Sequence, residues 1–342
     1  MIKVNKLGIL LEKTSLGFEN AGVLNPGIIK ENDSIHLFYR AVRKGNFSSI
    51  GYASLSSPFA VNERHEQPII IPEFDYEKQG VEDPRIVKIH DTFYLTYTAY
   101  DGNNAHGALA TSKDLKQFTK QGIITPQFNY HEFVSCIESS KCFNEKYLRF
   151  YKLFKDRLSP EAIEKLVIWD KDVIFFPAKI NGKFAFLHRL YPSIQIVYFD
   201  NVEDLTKEFW IDYLFNLNDY IFLDTKYPFE ASYLGGGCPP IETEDGWLII
   251  YHGVEDSHVG YIYHTGVALM DINDPTKEIG RLSEPLFSPE TEWEKNGYVN
   301  NVVFPSGALL SGNDLYIYYG AADTKVAVVS VKLSELLKEL KK

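Results

Sequence analysis

The stretch TFYLTYTAYDGNN, residues 92–104, alternates like a strand and then runs into Asp101-Gly102-Asn103-Asn104, a strong turn signal. A carboxylate in that position either punctuates a hairpin or supplies a proton, and only its neighbours in space decide between them. Four other aromatic-rich strands end in groups of comparable chemistry: Arg40, Arg189, His252 and Asp323. Taken singly, each is an ordinary polar strand end. Brought together, they are two carboxylates, two guanidiniums and an imidazole behind strongly apolar strands. Further polar residues precede the partner strands: Asn25, Asp83 with Arg85, and Lys171 with Asp172. Asp83-Pro84-Arg85 also reads as a turn with a local ion pair, which on a surface contributes little.

The elements that must position these residues repeat. Five segments share a Pro, a short apolar strand, a polar turn and an aromatic strand: NPGIIKENDSIHLFYRA, DPRIVKIHDTFYLTYTA, FPAKINGKFAFLHR, CPPIETEDGWLIIYHG and FPSGALLSGNDLYIYYGA. Turns such as Asn181-Gly182 and Asp245-Gly246 are hairpin chemistry. Most copies are followed by another strand, giving three to four strands per unit. Five such units predict an all-β chain, a five-bladed β-propeller in one domain spanning 1–342, in which equivalent strand ends converge on one face. A β-sandwich with coincidental similarity is the competing architecture. The excess between the second and third units, about 126–170, includes SPEAIEKLVIW, with Ser159 as N-cap and Pro160 at the first helical position. It predicts a helical insertion between blades two and three, placed to cap the site or to make an oligomer contact. SELLKELKK predicts a short C-terminal helix over 333–342, and residues 1–20 a strand or arm closing the ring.

The 342 residues are 45% hydrophobic and 14% aromatic, and the net charge of −11 argues against nucleic acid or an anionic membrane as partner. Any anion site must come from a local basic cluster. Three cysteines, Cys136, Cys142 and Cys238, show no zinc spacing and fit a reducing compartment. With no signal-peptide or membrane-span pattern, the expected location is the cytoplasm. His106, His131 and His264 lack metal-ligand spacing and no HExxH occurs, so no catalytic metal is expected.

EDPRI at 82–86, YTAYDG at 97–102, FP.K..GK....HR at 176–189, GGG.PPI.T.DGWL.IYHG at 235–253 and YGAADT at 319–324 resemble, in order and over nearly the whole chain, glycoside hydrolase family 130. The resemblance implies a five-bladed propeller, and a phosphorylase or hydrolase of β-mannosides. Inverting hydrolysis needs two carboxyl groups, whereas phosphorolysis needs one acid and a site for a phosphate dianion. By resemblance Asp101 is the acid, with Tyr100 beside it, its proton passing through a sugar hydroxyl. Lys171, Arg189, His252 and Tyr263 match the phosphate site. Asn25, Arg40, Arg43, Asp83, Arg85 and Asp323 would hold the innermost sugar, although VRKGNFSS around Arg43 also reads as a solvated loop. Lys171 stands where the family commonly has Arg, and Asp172 where it has Asn. The implied reaction is phosphorolysis of β-1,2- or β-1,4-linked mannosides with inversion, giving α-mannose 1-phosphate, a glycosyltransferase-type activity with inorganic phosphate as co-substrate and no cofactor. The alternative is a hydrolase of the same family with Asp172 or Glu230 as base. A non-catalytic carbohydrate-binding propeller is a third reading, and a homo-oligomer is compatible with all three.

Overall fold

The computed structural model describes residues 2–141 and 144–342. Cys142 therefore lies outside the described residues. The chain is predominantly β with a small helical content. β1 is Asn5–Leu11. The next eight strands are β2 (Gly22–Glu31), β3 (Ser34–Arg43), β4 (Phe47–Ser57), β5 (Ala60–Arg64), β6 (Gly80–Ile89), β7 (Thr92–Tyr100), β8 (Ala105–Ser112) and β9 (Thr119–Ile123). They form one eight-stranded sheet, but β4 meets β6 only through a parallel bridge between Ser48 and Gly80, so it divides into two antiparallel groups. A third group is β10 (Lys171–Phe175), β11 (Phe184–Arg189), β12 (Ile194–Phe199) and β13 (Ile221–Leu223). A fourth is β14 (Tyr233–Gly236), β15 (Ile241–Thr243), β16 (Gly246–Ser257), β17 (Gly260–Met270) and β18 (Glu278–Arg281). In the last, β19 (Val303–Ser311), β20 (Asp314–Ala321) and β21 (Lys325–Lys332) are completed by β1, which pairs antiparallel with β21.

The first strands of the groups approach one another closely. β2 contacts β6 and β19, and β10 contacts β6 and β14. The Ser306 hydroxyl donates to the Pro26 carbonyl at 3.0 Å, and a Cβ on Gly307 would lie 2.7 Å from that oxygen, so glycine is required there.

A buried latch recurs in four groups. Tyr39, Tyr97, Tyr251 and Tyr319 occupy matching positions on the second strands. Their hydroxyls donate to Glu19, Glu77, Glu230 and Glu294 at 2.8, 2.6, 2.5 and 2.7 Å. Arg64, Lys120, Arg281 and Lys6 ion-pair with the same carboxylates at 2.8, 2.6, 2.6 and 2.7 Å. All four glutamates are fully buried. Because Lys6 lies on β1, this latch also ties the N-terminal strand to the last group. In the third group His188 takes the tyrosine position, bonded to Asp170 at 2.6 Å and to the Tyr213 hydroxyl at 2.9 Å.

The latch fixes the register and corrects the alignment of strand ends. The residues that follow the latch position are Arg40, Thr98, Arg189, His252 and Gly320. Arg40 faces Leu24, Thr98 faces Glu82 and Arg189 faces Lys171, in each case the residue just before a left-handed Asn25, Asp83 or Asp172. Asp101 and Asp323 match each other, but each lies three residues beyond the position of Arg40, Arg189 and His252. Thr98 and Gly320, which are small and uncharged, hold in their groups the position that Arg40, Arg189 and His252 hold in the others.

Between β9 and β10 lie three helices, α1 (Tyr130–Glu138), α2 (Glu145–Lys155) and α3 (Pro160–Lys165). Ser159 caps α3 by accepting from the Ala162 N–H at 3.2 Å. A fourth helix, α4 (Lys207–Phe215), follows the third group's β12; it is capped by Thr206 and packs on α1, where Lys207 pairs with Glu132 at 2.8 Å. The sequence reading missed it. α5 (Glu292–Lys295) precedes β19, and α6 (Leu333–Leu340) ends the described chain, burying Leu336 and Leu340 against the last two groups.

Candidate active site

The register of β2, β6 and β10 is interrupted between Leu24 and Gly27, between Glu82 and Arg85, and between Lys171 and Ile174, and the first residue inside each interruption helps set the floor of the site. Asn25, Asp83 and Asp172 hold φ of 47°, 52° and 57°, a conformation that Asn and Asp tolerate best among side-chain-bearing residues. It turns three short polar side chains from three groups toward one place. Asn25 Nδ2 donates to Asp83 Oδ1 at 2.8 Å. A Cβ on Gly320 would lie 1.9 Å from Asn25 Oδ1, so only glycine leaves room for that amide.

Two adjoining cavities open here. The narrower, about 320 Å³, is lined by Asn25, Asp83, Asp172, Arg189 and Tyr263 among others. The wider, about 580 Å³, is lined by Arg43, Asn46, Tyr100 and Tyr298 among others. Arg40, Trp169, Lys171, Val299 and Asp323 line both, so the two form one continuous space. Nine of the expected site residues therefore meet: Asn25, Arg40, Arg43, Asp83, Tyr100, Lys171, Arg189, Tyr263 and Asp323.

Three expected residues are placed otherwise. Arg85 lies beneath the floor, only 2% exposed, with Nε donating to the Gly237 carbonyl at 2.6 Å and its guanidinium over the Phe304 ring. His252 is fully buried behind Arg189 and accepts from its Nη1 at 3.1 Å through Nε2. Asp101 lines neither cavity; its Oδ1 accepts from the Asn103 and Asn104 N–H groups at 2.7 Å each, closing the turn after β7.

Arg189 is the most constrained cation. Its Nη1 lies 2.8 Å from Asp172 Oδ2, its Nη2 donates to the Tyr191 hydroxyl at 3.0 Å, and its plane stacks on Tyr191 and Tyr233. The Tyr233 and Tyr263 hydroxyls are 2.5 Å apart. Lys171 makes no ion pair among the described residues; its ammonium lies 5.0 Å from the Trp169 ring centroid. Helix α2 backs both walls: Phe150 stacks on Tyr191 at 5.0 Å and Phe154 packs on Trp169 at 6.5 Å. Trp169, Tyr191 and Tyr233 escaped the sequence reading. The alternation of Trp169 with Lys171 and of Tyr191 with Arg189 was the available signal.

Protonation follows from these surroundings. Burial pushes the Asp323 carboxyl up to about 6; Arg40 opposes that rise while Asp83 and Glu82 reinforce it. Burial also raises Asp172, against the pull of Arg189 and Arg85. Burial, with repulsion from Arg189 and Arg85, holds His252 well below the usual imidazole range, so it is neutral. For Asp101, burial pushes upward, but the N–H groups of Asn104 and Asn103 outweigh it and the carboxyl is held below its ordinary value. The site thus offers an anion-attracting end at Lys171 and Arg189, and carboxyls of unequal acidity along one cavity. Among the described residues no group of three or more His, Cys, Asp or Glu is arranged to hold a metal, and no helix is long and apolar enough to cross a membrane.

The family model described as beta-1,4-mannooligosaccharide phosphorylase matches residues 17–158 and 144–342. A 1,2-beta-oligomannan phosphorylase of Thermoanaerobacter sp. (strain X514) is 32% identical, the alignment covering 98% of this chain and 99% of that one. A beta-1,2-mannobiose phosphorylase of the same strain is 34% identical over 92% of this chain and 91% of that one. The structure of a beta-1,2-mannobiose phosphorylase from Listeria innocua, in complex with beta-1,2-mannobiose, superposes with a TM-score of 0.72 at 26% identity, covering 99% of both chains.

Proposed function

The chain belongs to glycoside hydrolase family 130, and from that premise we propose that it is an inverting phosphorylase of β-mannosides, releasing α-mannose 1-phosphate. The observation that carries this reading is the pairing, at one end of one cavity, of the uncommitted Lys171 ammonium with an Arg189 guanidinium locked by His252, Asp172 and Tyr191. A phosphate dianion seated there, with the Tyr263 hydroxyl as a further donor, faces the anomeric carbon of a mannosyl unit bound over Asn25, Asp83 and Asp323. Attack from the face opposite the leaving oxygen converts a β-linkage into an α-phosphate. β-1,2 is the first linkage to test, because the relatives at 32% and 34% identity are named for it.

Asp101 supplies the proton through a sugar hydroxyl. Its turn bonds hold its pKa below the ordinary value in the free protein, but a bound dianion and the exclusion of water both raise the pKa of a carboxyl. A hydrolase needs a carboxylate base instead. Glu230 is unsuited to that role: it is fully buried in a latch with Tyr251 and Arg281. Asp172 is in the cavity, but its Oδ2 is held by Arg189. Phosphorolysis is therefore favoured.

The same reading makes the five antiparallel groups the blades of a five-bladed propeller in one domain, with β1 closing the ring and α1–α3 inserted between blades two and three. Free Cys136 and Cys238 support a cytoplasmic location. The reverse reaction tests the activity: α-mannose 1-phosphate plus mannose should release phosphate, and no release with any mannose, glucose or N-acetylglucosamine acceptor would contradict it.

A further inference from the structure

We infer that Asn104 is a positioning residue for the proposed acid: its carboxamide ties one oxygen of Asp101 to the segment that links α3 to β10, so the helical insertion aims the proton donor. This rests on the role given to Asp101 in the phosphorylase reading. The two oxygens of Asp101 are not equivalent. Oδ1 accepts from the Asn103 and Asn104 N–H groups at 2.7 Å each, and the Asp101 N–H closes the same turn on the Asn104 carbonyl at 3.2 Å. An oxygen engaged by two backbone donors is the poorer site for a proton, so the proton of this carboxyl sits on Oδ2. Oδ2 is the oxygen that the Asn104 side chain reaches, with Nδ2 donating to it at 3.3 Å.

The other half of the carboxamide faces the insertion. Asn104 Oδ1 accepts from the Val167 N–H at 3.0 Å. With a backbone donor on one side and a carboxylate on the other, only one orientation of the amide satisfies both. The residues flanking Asn104 repeat the attachment. The Asn103 carbonyl accepts from the Trp169 indole N–H at 2.8 Å, and the Ala105 carbonyl from the Asp170 N–H at 3.0 Å. Three consecutive residues are thus bonded to the stretch 167–170. That stretch is held from its other side as well, the Ile168 N–H donating to the Phe128 carbonyl at 2.8 Å.

Gly102 and Asn103 are exposed, and an exposed turn of this kind swings easily when nothing braces it. Here every residue after Gly102 is braced against a fixed backbone. A proton donor acts only from a narrow range of distance and angle, so a small displacement of Oδ2 costs rate rather than substrate affinity. Lys78, Tyr100 and His106 lie within electrostatic reach of Asp101, and all three are retained in the variants below.

The test is the pH dependence of β-1,2-mannobiose phosphorolysis, at saturating phosphate, by Asn104→Ala and Asn104→Asp. An acid must be protonated to act, so kcat falls as pH rises through its pKa. A hydrogen bond donated to the carboxylate lowers that pKa, so removing it moves the alkaline limb upward. For Asn104→Ala the expected result is a plateau kcat lowered about tenfold, KM for phosphate changed less than about twofold, and a limb raised by about half a pH unit. Asn104→Asp keeps an acceptor for the Val167 N–H but sets a carboxylate against Oδ2, so its limb should rise further, by about one pH unit. An unmoved limb in either variant, even with kcat lowered, makes Asn104 a structural brace only and overturns the inference. A raised KM with kcat retained also overturns it. Carboxyl NMR titration of Asp101, its signal identified by loss in Asp101→Asn, reads the same shift without turnover. A higher midpoint in both Asn104 variants supports the inference, and an unchanged midpoint overturns it. Absence of turnover in the wild type contradicts the phosphorylase reading alone, and the titration then decides whether Asn104 holds Asp101.

Discussion

The Arg189 Nη1 lies 3.1 Å from His252 Nε2 and 2.8 Å from Asp172 Oδ2, so one guanidinium nitrogen is aimed by an imidazole and a carboxylate together. Arginine can only donate, which makes His252 Nε2 the acceptor and the ring neutral. His252 is then a positioning residue for the anion site. His252→Ala should raise KM for phosphate about tenfold, with a smaller change in kcat, as befits about 1.4 kcal/mol of lost anion binding. Lys171→Ala should raise it at least as much by removing the uncommitted charge. His252→Gln, which restores an acceptor, should recover part of the loss. Initial rates at varied phosphate measure all three, and the wild-type profile should show no inflection from His252 between pH 5.5 and 7.

Glu230 separates the two catalytic readings through stability. Its carboxylate accepts from Tyr251 at 2.5 Å and pairs with Arg281 at 2.6 Å, all buried. Glu230→Gln leaves the Arg281 guanidinium only the longer 3.7 Å contact with Glu278 and should cost about 3 kcal/mol in unfolding free energy. Denaturant unfolding measures this. A normally stable but inactive variant would instead mark Glu230 as a base.

Asp323 should make stability depend on pH in an unusual direction. Its folded carboxyl is raised to about 6, so the native state binds the extra proton above the unfolded value. Its cost is absent below about pH 4, grows as pH rises toward 6 and then stays constant. Relative to Asp323→Asn, wild type should therefore lose stability across that window, by about 2–3 kcal/mol in total. Unfolding curves of both proteins from pH 4 to 8 test this, and parallel curves would refute it.

Asp101→Asn distinguishes turn from acid. Asn retains an Oδ1 that can accept from the Asn103 and Asn104 N–H groups, so the turn and the melting temperature should survive. Loss of the proton donor should lower kcat by about 100-fold or more. Near wild-type turnover would leave Asp101 as turn punctuation only.

Much of this was written locally. Hairpin turns and aromatic strands are short-range signals, and they revealed the antiparallel groups and part of the cavity lining: Asn25, Arg40, Asp83, Lys171, Asp172, Arg189 and Asp323. Depth was not legible: His252 and Arg85 look like their exposed counterparts in sequence, and only packing puts them behind Arg189 and beneath the floor. The latches were missed because each joins three separate segments. They do leave a trace, since the glutamate precedes its tyrosine by 20, 20, 21 and 25 residues in the four groups. The third group breaks that pattern with His188, which is also where the helices crowd the sheet.

The central claim is that phosphate, not water, is the nucleophile. Incubation with β-1,2-mannobiose, with and without inorganic phosphate and followed by NMR at the anomeric proton, measures this directly. The account predicts equimolar α-mannose 1-phosphate and mannose with phosphate, and no cleavage without it. Phosphate-independent release of two mannose molecules would contradict it.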